Sequence, residues 1–527
     1  MAYFTLAGLA GCAPGKDAGT GDAGTHERIP TRLEVTPETL LLRGLGVEAA
    51  LQAVVRDQHD APIPDAAITW SSSNPAVVDL AGAHRPDHAR ADEATVTASS
   101  GGLTGAVAVS VLVSACIAPT TFPTPPPVAL GPPSFTVVPF DMDMGNLATY
   151  SAAIDVTGDG LDDLVFFASD ATSERTYVWR SNGDGTFTDV TSRHLASTVP
   201  VTGRRVRVAD MNRDGIADLV VATHGREADD CSLGPGLCPG APNHVVLVDA
   251  QRQLVDHSVD YFHPAGLNGY THGVAVGDVD CDGYPDVFEA NWPNDTAIEP
   301  SHLQMNRAGL SLEAEDHRLP ARVAAAQDVF PSADFCDVNR DGAVDLILGA
   351  VDGPNRVLIN DRFGYFDDGP VPLPEPIFGR PAQEPLDIGC VDYDLDGWND
   401  LVILTTTHAY DRAAIQLLHN RGDGSFDDVS AEALPQDFTD ANAYFELRVA
   451  DFNADGWPDF VVSGTSQLPG QPHVYTNTGD GGFVETRIGG EYLFAGSTVT
   501  VIDTRGDGKP DLHTAGGTTY SFVLTNP

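Results

Sequence analysis

Two patterns of apolar positions divide this chain. Between residues 28 and 113, apolar and polar residues alternate in Leu33-Glu34-Val35, Ala49 to Val55, Ala94 to Thr97 and Ala106 to Val111, the period-two signature of strands. From residue 134 onward the apolar runs are short and rich in β-branched residues, as in Leu219-Val220-Val221, Leu346-Ile347-Leu348 and Phe460-Val461-Val462. Each of these runs leaves an Asp- and Gly-rich turn and reads as a strand. No run is long and apolar enough to span a bilayer. The expected fold is all-β: a small sandwich over 28–113, then a repeat unit over 134–527.

The turns themselves repeat. A loop of pattern Asp-x-Asp/Asn-x-Asp-Gly-x-x-Asp, varied at its third position, starts at Asp155, Asp210, Asp278, Asp337, Asp392, Asp451 and Asp503. Successive starts lie 55, 68, 59, 55, 59 and 52 residues apart, a period that means a propeller or an array. Gly-rich hairpins follow four of the loops: Asn182 through Phe187, Asn360 through Phe366, Asn420 through Phe426 and Asn477 through Phe483. One repeat therefore reads strand, loop, strand, variable loop, strand, hairpin, strand, which is one four-stranded propeller blade. The chain ends on Phe522 to Asn526, a third strand with no hairpin after it. Ser134 to Val138 resembles the fourth strand Thr186 to Val190, so it is expected to complete a seventh blade and close the ring, which removes exposed sheet edges.

The loop chemistry points to calcium, which takes six to eight hard oxygens. The first, third and fifth side chains supply oxygens, the sixth-position Gly permits the turn, and the ninth-position Asp offers a carboxylate. The candidate ligands are Asp155, Thr157, Asp159 and Asp163; Asp210, Asn212, Asp214 and Asp218; Asp278, Asp280, Asp282 and Asp286; Asp337, Asn339, Asp341 and Asp345; Asp392, Asp394, Asp396 and Asp400; Asp451, Asn453, Asp455 and Asp459; and Asp503, Asp507 and Asp511. Thr157 weakens the first site. Arg505 stands third in the last loop, so that site is expected to be weak or empty, with Arg505 paired to Asp503 or Asp511. The closing acid at nine, not twelve, and the strands on either side exclude an EF-hand.

The loop, its period and the Asn-x-Gly-Asp-Gly-x-Phe hairpin resemble the FG-GAP/VCBS repeats of integrin α-subunit propellers and bacterial surface proteins. The resemblance implies a seven-bladed, calcium-binding β-propeller; it does not fix an activity, because such propellers occur in binding modules and beside enzymes. Ile68 to Val78, with Trp70-Ser71-Ser72-Ser73-Asn74-Pro75, resembles bacterial Ig-like group 2 domains, which implies an Ig-like stalk. Leu9-Ala10-Gly11-Cys12 resembles a bacterial lipobox, which implies lipidation at Cys12 and makes residues 1–12 the remnant of a signal peptide. Residues 13–27 then read as a flexible tether and 114–133, with seven prolines from Pro119 to Pro133, as a stiff spacer. Anchor, tether, stalk, spacer and head describe a surface-displayed bacterial lipoprotein.

The net charge of −46 excludes nucleic acid as a partner, and seven calcium ions (+14) would still leave −32. Membrane contact is expected only through the lipid. Cys231 and Cys238 bracket a Gly/Pro loop and are expected to form a disulfide; Cys116, Cys281, Cys336 and Cys390 cannot be paired from sequence. No nucleophile elbow, zinc-protease helix or phosphate loop is visible. The variable loops gather on the face opposite the calcium loops, where Trp292, His272, His408 and Tyr410 are candidate ligand contacts. The expectation is a monomeric, calcium-stabilised binding or adhesion protein for an extracellular glycan or protein. The alternatives are a polysaccharide lyase, with Arg380 joining His272, His408 and Tyr410, or a scaffold for a partner enzyme.

Overall fold

The computed structural model describes residues 3–7, 28–43, 48–74, 92–112, 114–126, 129–140, 148–169, 174–196, 203–223, 241–263, 268–292, 300–324, 329–351, 353–367, 371, 373–379, 383–435, 439–440, 446–463, 472–488, 498–515 and 521–525. They fall into two compact units, Met1–Ala115 and Cys116–Pro527.

In the first unit, Tyr3–Ala7, Glu48–Asp57 and Pro30–Thr36 form one sheet; Thr39–Arg43, Leu103–Leu112, Asp92–Ser100 and Thr69–Ser72 form another. Their inward positions, among them Leu33, Leu51, Val55, Val96, Val107 and Val109, make a single core on which Trp70 packs. The alternation read from sequence is thus the one-sided burial of each strand of a small sandwich. Cys12 and the tether lie outside the described residues.

Among the described residues the second unit shows seven four-strand arrays, one per repeat. The first is Ala148–Ile154, Asp163–Ser169, Glu174–Ser181 and Phe187–Asp189; the others follow the same up-and-down order. Short strands add to the third and fifth sheets. The seventh consists of Thr498–Ile502, Asp511–Ala515 and Ser521–Thr525, completed by the N-terminal strand Thr136–Phe140, with Thr525 opposite Thr136. First strands of consecutive sheets pack side by side in a closed cycle, the seventh against the first. That cycle is the inner wall of a propeller. Cores such as that of Phe288, Phe330, Leu346 and Leu358 lie between neighbouring blades, so each blade buries its faces only in company.

The proline-rich segment differs from the expected spacer. Its described part belongs to the propeller unit and runs along the Asp-loop side from blade three to blade seven. Cys116 is disulfide-bonded to Cys281. Arg340 donates to the Thr121 carbonyl at 2.8 Å and stacks on Phe122, its guanidinium 3.8 Å from the ring centre. The Leu130 N–H donates to Asp455 Oδ2 at 2.6 Å, and Phe135 meets Phe452 edge-on. A Cβ placed on Gly342 would come within 2.4 Å of the Ile117 carbonyl, so the contact is close. An extended proline-rich chain has no internal hydrogen bonds, and its free carbonyls and apolar rings suit it to lying flat on a surface. It is a strap, not a spacer.

Candidate metal centres and the opposite loop face

Each Asp loop is shaped by its own carboxylates. In the third loop, Asp278 accepts the N–H of Asp282 at 3.0 Å and of Gly283 at 2.8 Å, and Asp282 accepts that of Tyr284 at 2.8 Å. The same bonds recur from Asp210, Asp337 and Asp451. Two residues per loop take left-handed φ: Gly at position six, and position four, where Arg213, Cys281, Arg340, Leu395 and Ala454 stand at 56–58°. Only the Gly was legible in the sequence.

The ninth Asp has a second duty. Asp163, Asp218, Asp286, Asp345, Asp400, Asp459 and Asp511 are fully buried. Asp345 accepts the Val338 N–H at 3.0 Å on one oxygen and the Asn360 N–H at 2.9 Å on the other, clasping the loop to the third strand. Asn360 in turn donates through Nδ2 to the Val279 carbonyl of the preceding blade at 2.7 Å. Asn306, Asn420 and Asn477 do the same toward Met211, Val338 and Tyr393. The ninth carboxylate thus joins loop to blade, and the hairpin Asn joins blade to blade. In the first six blades each oxygen of the ninth carboxylate accepts one backbone N–H. Burial pushes Asp218, Asp345 and Asp459 up to about 7, against the pull of those N–H groups.

Two loops converge most closely. Oxygens of Asp278, Asp280 and Asp282 lie within 4.8 Å of one another, as do those of Asp392, Asp394 and Asp396. Asp280 Oδ1 and Asp392 Oδ1 are buried with no hydrogen-bond partner. Two strong acceptors turned inward among further carboxylates are what a hard divalent cation would satisfy, so the residues fit calcium. In the last loop Arg505 reaches Asp511 at 3.3 Å and Asp507 at 3.5 Å, the pairing expected to exclude a cation. At the fifth loop stands a residue the sequence reading passed over. His419 Nδ1 lies 3.4 Å from Asp394 Oδ2 and 3.3 Å from Asp400 Oδ1. Asp400 beside it pushes the imidazole up to about 8.

On the opposite ends of the strands, Tyr270, His272 and Trp292 stack with centroids 5.1 and 5.0 Å apart. His408 and Tyr410 meet on a different blade, the fifth. Tyr410 donates its hydroxyl to Glu384 Oε1, His408 Nδ1 lies 3.6 Å from Oε2, and Glu384 is buried. Tyr410 holds a φ of 53°, unusual for a bulky residue and a mark of a constrained turn. Arg412 covers Phe378 at 4.6 Å. The four candidates therefore form two groups, not one cleft; Arg380 lies outside the described residues, as do Cys231 and Cys238.

Sequence reasoning also missed the inner wall. Arg205 lies 3.2 Å from both Asp387 and Glu446, and Arg207 and Arg448 reach Asp387 at 3.7 and 3.4 Å. Burial raises Asp387, but these three guanidiniums hold it below the usual carboxylate range. A cavity of about 320 Å³ opens beside them, lined by Arg207, Asp334, Arg448 and Thr500. Cys336–Cys390 joins the first strands of blades four and five. No signal in the sequence pairs these residues, because the partners lie on strands of different blades far apart in the chain.

Three segments match the model of the FG-GAP-like repeat: 155–221, 392–462 and 451–514, each beginning at the first Asp of a loop. No curated protein matches. Among solved structures, the chain is similar to one described as the structure of the Dos1 propeller, at 10% identity and a TM-score of 0.37, covering 73% of this chain and 95% of that one. Loop geometry and sheet order agree on a β-propeller, in which three segments match the FG-GAP-like repeat.

Proposed function

We propose that this protein is an exported, calcium-stabilised binding module whose propeller takes an extracellular glycan or protein on the face opposite the Asp loops. The observation that carries the reading is the stack of Tyr270, His272 and Trp292 at the loop end of blade three. Trp292 is half-buried, so part of its ring is open to a ligand on a rigid sheet. Calcium would be held by the first, third and fifth residues of the loop at 278 above all, and would neutralise carboxylates that otherwise repel. Two disulfides support export, and the lipobox-like Leu9 to Cys12 supports a lipid anchor on a bacterial surface. The acidic net charge favours partners other than nucleic acid.

A second reading rests on Glu384. A buried carboxylate between a tyrosine hydroxyl and a histidine is an arrangement able to move protons, as a polysaccharide-active enzyme requires. One experiment separates the two. The protein in millimolar calcium is incubated with polysaccharides and cell-wall fractions, and both retention and new chain ends are recorded. Retention without cleavage, lost in Trp292→Ala, supports the binding module. New chain ends lost in Tyr410→Phe support the enzyme, and silence on both defeats the glycan readings and leaves protein partners.

A further inference from the structure

Among the described residues, the fifth Asp loop is the one at which a histidine joins the carboxylates. In the repeat, the residue before the hairpin Asn is Met305 in blade three, Ile359 in blade four and Thr476 in blade six. In blade five it is His419, on the strand Ala413–Asn420 that pairs beside Asp400–Thr407. That register carries the imidazole over the loop. One ligand atom each from Asp394, Asp400 and His419 lie within 4.8 Å of one another. The ring rests edge-on against Tyr393, with centroids 6.1 Å apart, which limits its rotation. Nδ1 is buried and makes no hydrogen bond, although two carboxylate oxygens lie within 3.4 Å of it; Asp392 Oδ1 in the same loop is likewise buried and unpartnered.

From this geometry we infer that the loop at Asp392 is a mixed nitrogen–oxygen site that takes a first-row transition ion such as Zn²⁺ in preference to calcium. Calcium seeks oxygens, whereas imidazole with carboxylates suits zinc and its neighbours. Asp394, Asp400 and His419 supply the protein donors, and the ion takes the place of the Nδ1 proton, which leaves to solvent. The bland alternative is that His419 is a fixed counter-ion, as Arg505 is in the last loop. The inference rests on the reading of these loops as cation sites, but its test is separate from the test of calcium.

The full chain is stripped with chelator and dialysed against Co²⁺ in the presence of excess calcium. Bound cobalt is then counted, and hyperfine-shifted imidazole resonances are recorded. One cobalt per chain with a shifted imidazole is expected. His419→Asn should lower cobalt affinity at least about tenfold, the loss seen even for outer partners of a metal, while calcium still raises the melting temperature. His419→Gln serves as the second variant if the first melts early. Cobalt that does not survive excess calcium, or that binds wild type and both variants alike, overturns the inference and leaves His419 a counter-ion. If calcium moves no melting temperature in either protein while cobalt binding depends on His419, the calcium reading fails and this one stands.

Discussion

The ninth Asp of each loop shows how one residue type can serve two ends. Asp345 satisfies two buried N–H groups, those of Val338 and Asn360, whether or not a cation is present. Each stranded N–H costs about 1–3 kcal/mol, so Asp345→Ala is expected to lose roughly 2–6 kcal/mol of stability, and to lose it in chelator as well as in calcium. Asp282 is exposed and supports only its own turn, through the Tyr284 N–H. Asp282→Asn should therefore cost little in chelator and lose stability mainly when calcium is added to both proteins. Denaturant unfolding of the two variants with and without calcium checks this, and an Asp345→Ala variant as stable as wild type in chelator would contradict the structural role. The sequence displayed both aspartates in one motif, but it could not separate them. The ninth residue's bonds run to a strand some fifteen residues away, and that distance closes only in the fold.

At the level of elements, strands and hairpins were legible because their signals are local: alternation, β-branched runs and Gly at turns. The closing strand was legible too, since Thr136–Phe140 carries the pattern of a fourth strand. The strap was not. Its prolines fix a stiff extended path, but nothing in composition says whether that path leaves the domain or lies on it; side chains far off, Arg340 and Cys281, decide. Cys116–Cys281 closes a loop of 165 residues, for which chain entropy gives up to about 5 kcal/mol. Cys116→Ser is accordingly expected to lower the melting temperature and to open the 117–131 segment to protease while the blades stay folded. Equal protease resistance in the variant and the wild type would mean that the strap is held by its packing alone.

Across the whole molecule, charge has to be reconciled with burial in two places. At the inner wall the balance is internal: Asp387 answers Arg205, Arg207 and Arg448, so Asp387→Ala should cost about 3–5 kcal/mol by leaving those three guanidiniums with Glu446 as the remaining partner of Arg205 and Arg448, a loss measurable by denaturant unfolding. At the rim the carboxylates outnumber their partners, and there the pH dependence follows. Asp218, Asp345 and Asp459 ordinarily titrate at 3.8 but are raised by burial to about 7 in the folded state. Between those values the folded protein binds more protons than the unfolded chain, so stability falls as pH rises. His513 works against this, because burial lowers it to about 3 and the unfolded chain alone takes up its proton below its ordinary 6.5. It is one group against seven, since burial raises Asp163, Asp334, Asp392 and Asp400 to about 6 as well. In chelator, then, the melting temperature should fall between about pH 5 and about pH 7.5. Calcium competes with those protons for the same loops, so its stabilising effect should grow over the same window, each site adding about 2.7 kcal/mol at a concentration 100-fold above its dissociation constant. Scanning melts in calcium and in chelator across that range check both slopes. A melt in chelator that is flat with pH and unmoved by calcium would mean that backbone N–H groups alone satisfy the rim carboxylates, and the loops would then be turns and not ion sites.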